Sequence, residues 1–263
     1  MQFTVDGKAA FATTGGRPFD ASLPAIVFIH GASFNATVWK LMTRYFAWRD
    51  RAVLALDLPG HGRSEGPALS SIETMADWVM AAMDALKVET AALVGHSMGS
   101  LVALDAAGRY PEQVTALALL GTSFPMPVSD VLLDSSGANE HVAMDLINSW
   151  GYGRRAQQGH HRMPGTWMMR GGLRILEQSQ PSLLHTDLAA SNAYQGGEDA
   201  AAAIRCPALA ILGERDMMTP VKAGRKLAEK IAGCRTVVLP GTGHIMMDEA
   251  PDETLDALRE LLG

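Results

Sequence analysis

The residues with the clearest capacity for chemistry lie in Gly95-His96-Ser97-Met98-Gly99. This segment follows the apolar run Ala91-Ala92-Leu93-Val94 and opens an Ala- and Leu-rich stretch with helical character. A strand that passes into a helix through so few residues must turn sharply enough to strain the central residue. It also leaves no room for a Cβ two positions before or after, which accounts for glycine at 95 and 99. In this context G-x-S-x-G presents a serine hydroxyl as a nucleophile, at the head of a helix whose N-terminus favours developing negative charge. Ser97 is the candidate nucleophile.

A serine hydroxyl attacks poorly at neutral pH without a base within hydrogen-bond reach. The chain has eight histidines. Where a strand–elbow–helix carries the nucleophile, the expected chain order is serine, acid, histidine. His30 and His61 precede Ser97, and His96 is locked beside it with its ring unable to turn back. His141, His160, His161 and His185 fall in a long segment without strand-like runs. His244 follows the last apolar run in the loop Pro240-Gly241-Thr242-Gly243-His244, and is the candidate base. A carboxylate is needed to hold its tautomer and stabilise the imidazolium. Asp216 ends Gly213-Glu214-Arg215-Asp216, directly after another strand, and is the candidate acid, with Glu214 as its rival. Asp248 and Glu249 are expected to begin the next helix and point along it. The alternative acid position, after Leu120, reads Gly121-Thr122-Ser123 and holds no carboxylate.

Acyl chemistry on Ser97 also needs two backbone donors for the tetrahedral oxygen. The Met98 N–H supplies one. The second is expected in His30-Gly31-Ala32-Ser33, from Ala32 first and Ser33 next, with Gly31 letting the loop fold over the site and His30 tying it down. Ser33, Met218 and Ile245 are the expected substrate-pocket residues. The segment Asp57-Leu58-Pro59-Gly60-His61-Gly62-Arg63-Ser64 reads as a tightly turned loop in which Asp57 accepts bonds from the backbone or Arg63. It has neither a P-loop lysine nor a dinucleotide fingerprint, and no metal-ligand spacing occurs, so no metal and no cofactor are expected.

These residues require a scaffold that brings loop ends together. The runs Ala25–Ile29, Arg51–Leu56, Ala91–Val94, Ala116–Leu120, Ala208–Leu212 and Thr236–Leu239 are apolar on both faces, as strands of a helix-covered parallel sheet must be. Helical patterns at 72–86, 98–110, 221–231 and 253–262 alternate with them, which predicts an α/β, doubly wound, mostly parallel sheet. Residues 3–13 alternate apolar and polar and read as an edge hairpin. The stretch 124–203 lacks a strand-like run and is expected as an inserted helical cap, the core being 1–123 and 204–263. Asn139 is expected to cap a helix over 140–150, and Ser182 to start one through Tyr194. Met126, Met144, Met163, Met168 and Met169 are expected to give the cap an adaptable apolar surface.

The chain has 263 residues, 48% of them hydrophobic, and a net charge of 22 − 28 = −6. That balance argues against a nucleic-acid or anionic-membrane surface. Cys206 and Cys234 carry no secreted-scaffold signal, and Cys206, between Arg205 and Pro207, is not placed as a nucleophile. The N-terminus lacks a charged region followed by an apolar one, and no apolar stretch approaches ~18 residues. A cytoplasmic enzyme acting on a small molecule is the expectation, its oligomeric state left open.

Taken together, His30-Gly31, Asp57-Leu58-Pro59-Gly60-His61-Gly62, Gly95-His96-Ser97-Met98-Gly99, Gly213-Glu214-Arg215-Asp216 and Gly243-His244 make the chain resemble the α/β-hydrolase superfamily. It looks most like the small capped members: esterases, enol-lactonases, carbon–carbon hydrolases and cofactor-free haloperoxidases. The resemblance implies ester or related acyl hydrolysis through an acyl-enzyme. Serine at 97 argues against the dehalogenase and epoxide-hydrolase branches, which use aspartate there. A carbon–carbon hydrolase or enol-lactonase would want an arginine in its pocket, and the cap offers Arg154, Arg155, Arg162, Arg170 and Arg174. A catalytically silent receptor on the same fold is the alternative of another class, and p-nitrophenyl acetate hydrolysis separates it from the enzymes.

Overall fold

Strands apolar on both faces satisfy their backbone only by pairing with one another and being covered twice. In the computed structural model, which describes residues 1–159 and 167–263, six such strands lie together. They are β3 (Ala25–Ile29), β4 (Ala52–Asp57), β5 (Ala91–His96), β6 (Val114–Leu120), β7 (Ala208–Gly213) and β8 (Arg235–Leu239). With β1 (Gln2–Val5) and β2 (Lys8–Thr13) they form an eight-stranded sheet of order β1-β2-β4-β3-β5-β6-β7-β8. β3 to β8 run parallel, and the β1–β2 hairpin joins antiparallel at β4. Asp6 and Gly7 both take positive φ, 48° and 80°, as a two-residue hairpin turn of type I′ requires.

The strand pleat divides the core in two. In β3, Ala25, Val27 and Ile29 face one layer, while Ile26 and Phe28 face the other. α2 (Ile72–Ala85), α3 (Met98–Arg109) and α10 (Val221–Ala228) cover the first layer; α1 (Lys40–Ala47) and α12 (Pro251–Leu262) cover the second. Between β6 and β7 come α4 (Asp130–Gly137), α5 (His141–Gly151), α6 (Arg154–Gln157), α7 (Met168–Glu177), α8 (Leu183–Ala193) and α9 (Gly197–Ala203), and α11 (Met246–Glu249) follows β8. Among the described residues no helix is long and apolar enough to cross a membrane.

One local expectation within the helical insert needs correction. Asn139 does not cap α5: Glu140 occupies that position, and Asn139 sits at φ 56° with its side-chain oxygen accepting from Ser182 N–H at 3.2 Å. Ser182 starts α8 as expected, in a left-handed conformation and without a capping bond from its hydroxyl. Of the five insert methionines, Met144, Met168 and Met169 pack into the second core layer and Met126 into the first. Met163 lies outside the described residues, as do His160, His161 and Arg162.

Candidate active site

Ser97 stands between β5 and α3 with φ 53° and ψ −123°, a conformation side chains rarely adopt. The surroundings enforce it. A Cβ on Gly95 would fall on the carbonyl of Gly99, and one on Gly99 would fall on the carbonyl oxygens of Ile29 and His30. Ser97 N–H donates to Leu120 O at 2.9 Å, which ties the turn to β6. Its hydroxyl lies in the wall of a cavity of about 180 Å³.

His244 is 2% exposed and lies in the same cavity wall. Its loop is held from the insert, because His244 N–H and Ile245 N–H both donate to Gly151 O, at 2.7 and 3.2 Å. His244 Nδ1–H donates to Asp216 Oδ2 at 2.8 Å, which leaves Nε2 buried and without a partner. Asp216 is itself heavily bonded: Oδ1 accepts from Met218 and Thr219 N–H, both at 2.8 Å, and Oδ2 from Thr219 Oγ1 at 2.7 Å. Burial pushes the Asp216 carboxyl up, but the His244 ring and the bonds from His244 and Thr219 outweigh it and hold the carboxyl below the ordinary range. Glu214, the rival acid, is instead exposed and accepts from Gly241 N–H at 2.8 Å. Gly121, at the alternative acid position, has φ 54°, and a Cβ there would press on the His244 ring at 3.0 Å.

Met98 N–H is the first amide of α3 and has no acceptor within the helix. Across from it, Gly31 rests against the elbow, where a Cβ would sit 3.1 Å from Ser97 Cβ. His30 ties this loop down as expected: Nδ1–H donates to Gly31 O at 2.8 Å, and Nε2 accepts from Leu58 N–H at 3.1 Å. Gly31, Ala32 and Met98 all line the Ser97 cavity, as do Met218 and Ile245. Ser33 does not. It faces a neighbouring cleft lined by Asn35, Asp57 and Arg63, and its N–H is taken by Asp187 Oδ2 at 2.8 Å, so it is unsuited both to the pocket and to the second donor position. In the Asp57 loop, Asp57 accepts from Ala36 N–H at 2.7 Å and Arg63 N–H at 2.9 Å, as the turn-rich sequence suggests.

Apart from Met126, the insert's share of the cavity wall has no signal in the sequence. Met126, Pro127, Val128, Leu132, Ile147 and Trp150 come from the insert, and among the described insert methionines only Met126 reaches it. Glu249 also departs from expectation. It turns back from α11 to accept from Gly243 N–H at 3.1 Å and Gly153 N–H at 2.9 Å, bracing the His244 loop against the insert. Burial pushes its carboxyl up to about 7, despite amide bonds that favour the charged form. The folded protein therefore holds this proton between about pH 4.5 and 7 while the unfolded chain does not, and this group's contribution to stability falls as pH rises through that window. The expected loss is roughly 2–3 kcal/mol, at about 1.4 kcal/mol per pK unit. Urea unfolding at pH 5, 6 and 7.5 should show that slope flattened in Glu249→Gln, which keeps an acceptor for both amides; an unchanged slope would assign it elsewhere.

Residues 26–257 match the family model described as the alpha/beta hydrolase family. Among curated relatives, the pimeloyl-(acyl-carrier protein) methyl ester esterase of Chromobacterium violaceum is 31% identical over 260 residues, covering 91% of this chain and 94% of that one. The dihydrolipoyllysine-residue acetyltransferase component of the acetoin cleaving system of Pseudomonas putida is 26% identical over 241 residues, and the chain spans 60% of its length. Among solved structures, the enol-lactonase of Burkholderia xenovorans superposes with a TM-score of 0.85 at 22% identity, covering 99% of this chain and 98% of that one, which is a likeness of fold.

Proposed function

Since the chain belongs to the alpha/beta hydrolase family, we propose that it is a serine hydrolase cleaving carboxylic esters of short, apolar acyl groups through an acyl-enzyme on Ser97. One observation carries the reading: Ser97 and the buried, unpartnered Nε2 of His244 share the wall of a small apolar cavity, with Asp216 bonded to the far side of the ring. His244 Nε2 takes the Ser97 proton as Oγ attacks the acyl carbon. The tetrahedral oxygen is received by the N–H groups of Ala32 and Met98, and Asp216 stabilises the imidazolium. The proton then passes from His244 to the departing alkoxide. Water, deprotonated by the same ring, releases the acid and restores Ser97.

The cavity wall supports an uncharged substrate. Among the described residues it is lined by no Arg, Lys, Asp or Glu. Arg154 and Arg155 line a different cleft beside Glu214, and Arg170 and Arg174 pair with Glu177 at 3.5 and 3.1 Å on an exposed face. A space of about 180 Å³ suits an acyl group of about benzene's size. The C. violaceum relative's name, a methyl ester esterase, agrees with ester cleavage.

The test is a series of p-nitrophenyl esters. From acetate upward, kcat/KM should rise about fourfold per methylene, at about 0.8 kcal/mol each, and then fall beyond about six carbons as the space fills. Higher rates on esters with a carboxylate in the acyl group would overturn this substrate class and favour the enol-lactonase or carbon–carbon hydrolase alternative. No turnover at all would favour a silent receptor.

A further inference from the structure

Among the described residues, the most deeply buried carboxylate outside the candidate triad belongs to the insert. Asp187 on α8 is 0% exposed, and one of its oxygens makes two bonds. Oδ2 accepts from Ser33 N–H and from His61 Nε2–H, both at 2.8 Å. The other His61 nitrogen lies 3.1 Å from Pro59 O, also an acceptor, so both ring nitrogens donate and the ring is an imidazolium. Asp187 Oδ1 is buried with no partner. Burying such a pair costs desolvation that apolar side chains of similar volume would avoid, so stability alone is a poor reason for it.

What Asp187 holds is the residue next to the proposed second oxyanion donor. Ser33 has φ 55°, a strained value for a residue with a Cβ. One side of Ala32 is already settled: Gly31 O accepts from His30 Nδ1–H at 2.8 Å and from Phe34 N–H at 3.1 Å. Because the peptide is planar and trans, the direction of Gly31 C=O sets the opposite direction of Ala32 N–H. The other side of Ala32 is the Ala32–Ser33 peptide, whose N–H points at Asp187. Without that acceptor Ser33 is free to leave its strained conformation and carry Ala32 with it.

We infer that Asp187 is a positioning residue: through Ser33 it aims the Ala32 N–H at the tetrahedral oxygen, and His61 holds it in place. The helical insert thus completes the oxyanion site as well as covering the cavity. This rests on the serine-hydrolase reading above.

The experiment compares wild type, Asp187→Ala, Asp187→Asn and Tyr194→Phe. The last removes another contact between this part of the chain and the core, Tyr194 O–H to Asp105 Oδ1 at 2.9 Å, which lies away from the oxyanion loop. End-point fluorophosphonate labelling counts competent sites, and kcat is expressed per labelled site. A trifluoromethyl ketone, which forms a hemiketal oxyanion on the serine, reports on the oxyanion site directly. Asp187→Ala should lower kcat per site by about 10²-fold, with KM within about threefold and a parallel loss of ketone affinity. Asp187→Asn, whose amide oxygen still accepts the Ser33 N–H, should recover part of this and remain about tenfold below wild type; it carries the test alone should the alanine variant not fold. Tyr194→Phe should leave kcat per site unchanged. Unchanged kcat per site in the Asp187 variants, or a change confined to KM or to the number of sites, would overturn the inference. Failure of wild type itself to be labelled would overturn the serine-hydrolase reading, and this one with it.

Discussion

Ser97→Ala is expected to lower kcat on a short-chain p-nitrophenyl ester by about 10⁶-fold and to abolish fluorophosphonate labelling. The serine oxygen is the atom that bonds to the acyl carbon in this mechanism, and no neighbour can replace it. His244 in the same cavity wall serves as the base, and Gly95 and Gly99, two positions to either side, offer only backbone. A residual acceleration over water is expected, because the Ala32 and Met98 amides remain in place. His244→Ala should fall to a similar level, and the double variant should fall little further, since nucleophile and base act as a unit. The side chain of Ser97 is half-buried and makes no fold-critical contact, so the variant should keep its melting temperature. Full labelling in Ser97→Ala, located by peptide mass spectrometry, would place the nucleophile elsewhere.

Asp216→Asn should lower kcat by about 10³- to 10⁴-fold with the fold intact. Asp216 Oδ2 accepts the Nδ1–H of His244 and the hydroxyl of Thr219, an arrangement open to a carboxylate oxygen. Four bonds converge on the two oxygens, and Oδ1 is already committed to the Met218 and Thr219 amides. An asparagine that keeps its oxygen toward those amides turns its NH2 toward the ring. Nδ1 must then be an acceptor, the proton moves to Nε2, and the lone pair that should receive the Ser97 proton is lost. Glu214→Gln should change kcat by less than about threefold, because Glu214 is exposed and reaches the Gly241 amide and the exposed Arg215 guanidinium rather than the His244 ring. A large loss in Glu214→Gln with a small one in Asp216→Asn would exchange their assignments.

The parts of this protein that are legible in its sequence are those governed by neighbours in the chain. Strands β3, β5 and β7 begin where their apolar runs begin, and the remaining starts differ by one or two residues. The helices after 72 and 98 also start as their patterns predict. The elbow at Ser97 is legible because its glycines answer a clash within five residues. His244 and Asp216 are legible for a related reason: each follows a strand whose end a parallel sheet places at one edge, so candidates can be chosen by elimination.

The helical insert resists the same approach. Its helices are amphipathic toward one another as well as toward the core, so a methionine spacing shows that a residue is buried without showing against what. Hence Met144 and Met168 fill the interior while Pro127, Val128 and Trp150 reach the cavity. Asp187 resembles any other helix carboxylate in sequence because its partners are 126 and 154 positions away. Ser33 reads as a pocket residue because sequence gives its nearness to Ala32 but not the direction of its amide. Glu249 reads as a helix-start acid, and only the fold brings Gly153 beside Gly243 to meet it. By itself, then, the sequence determined the sheet, the elbow and the candidate triad, all set by backbone sterics and strand-end placement. Only the tertiary structure decided the pocket wall and the supports of the oxyanion loop, because those rest on contacts between segments whose mutual orientation no local pattern encodes.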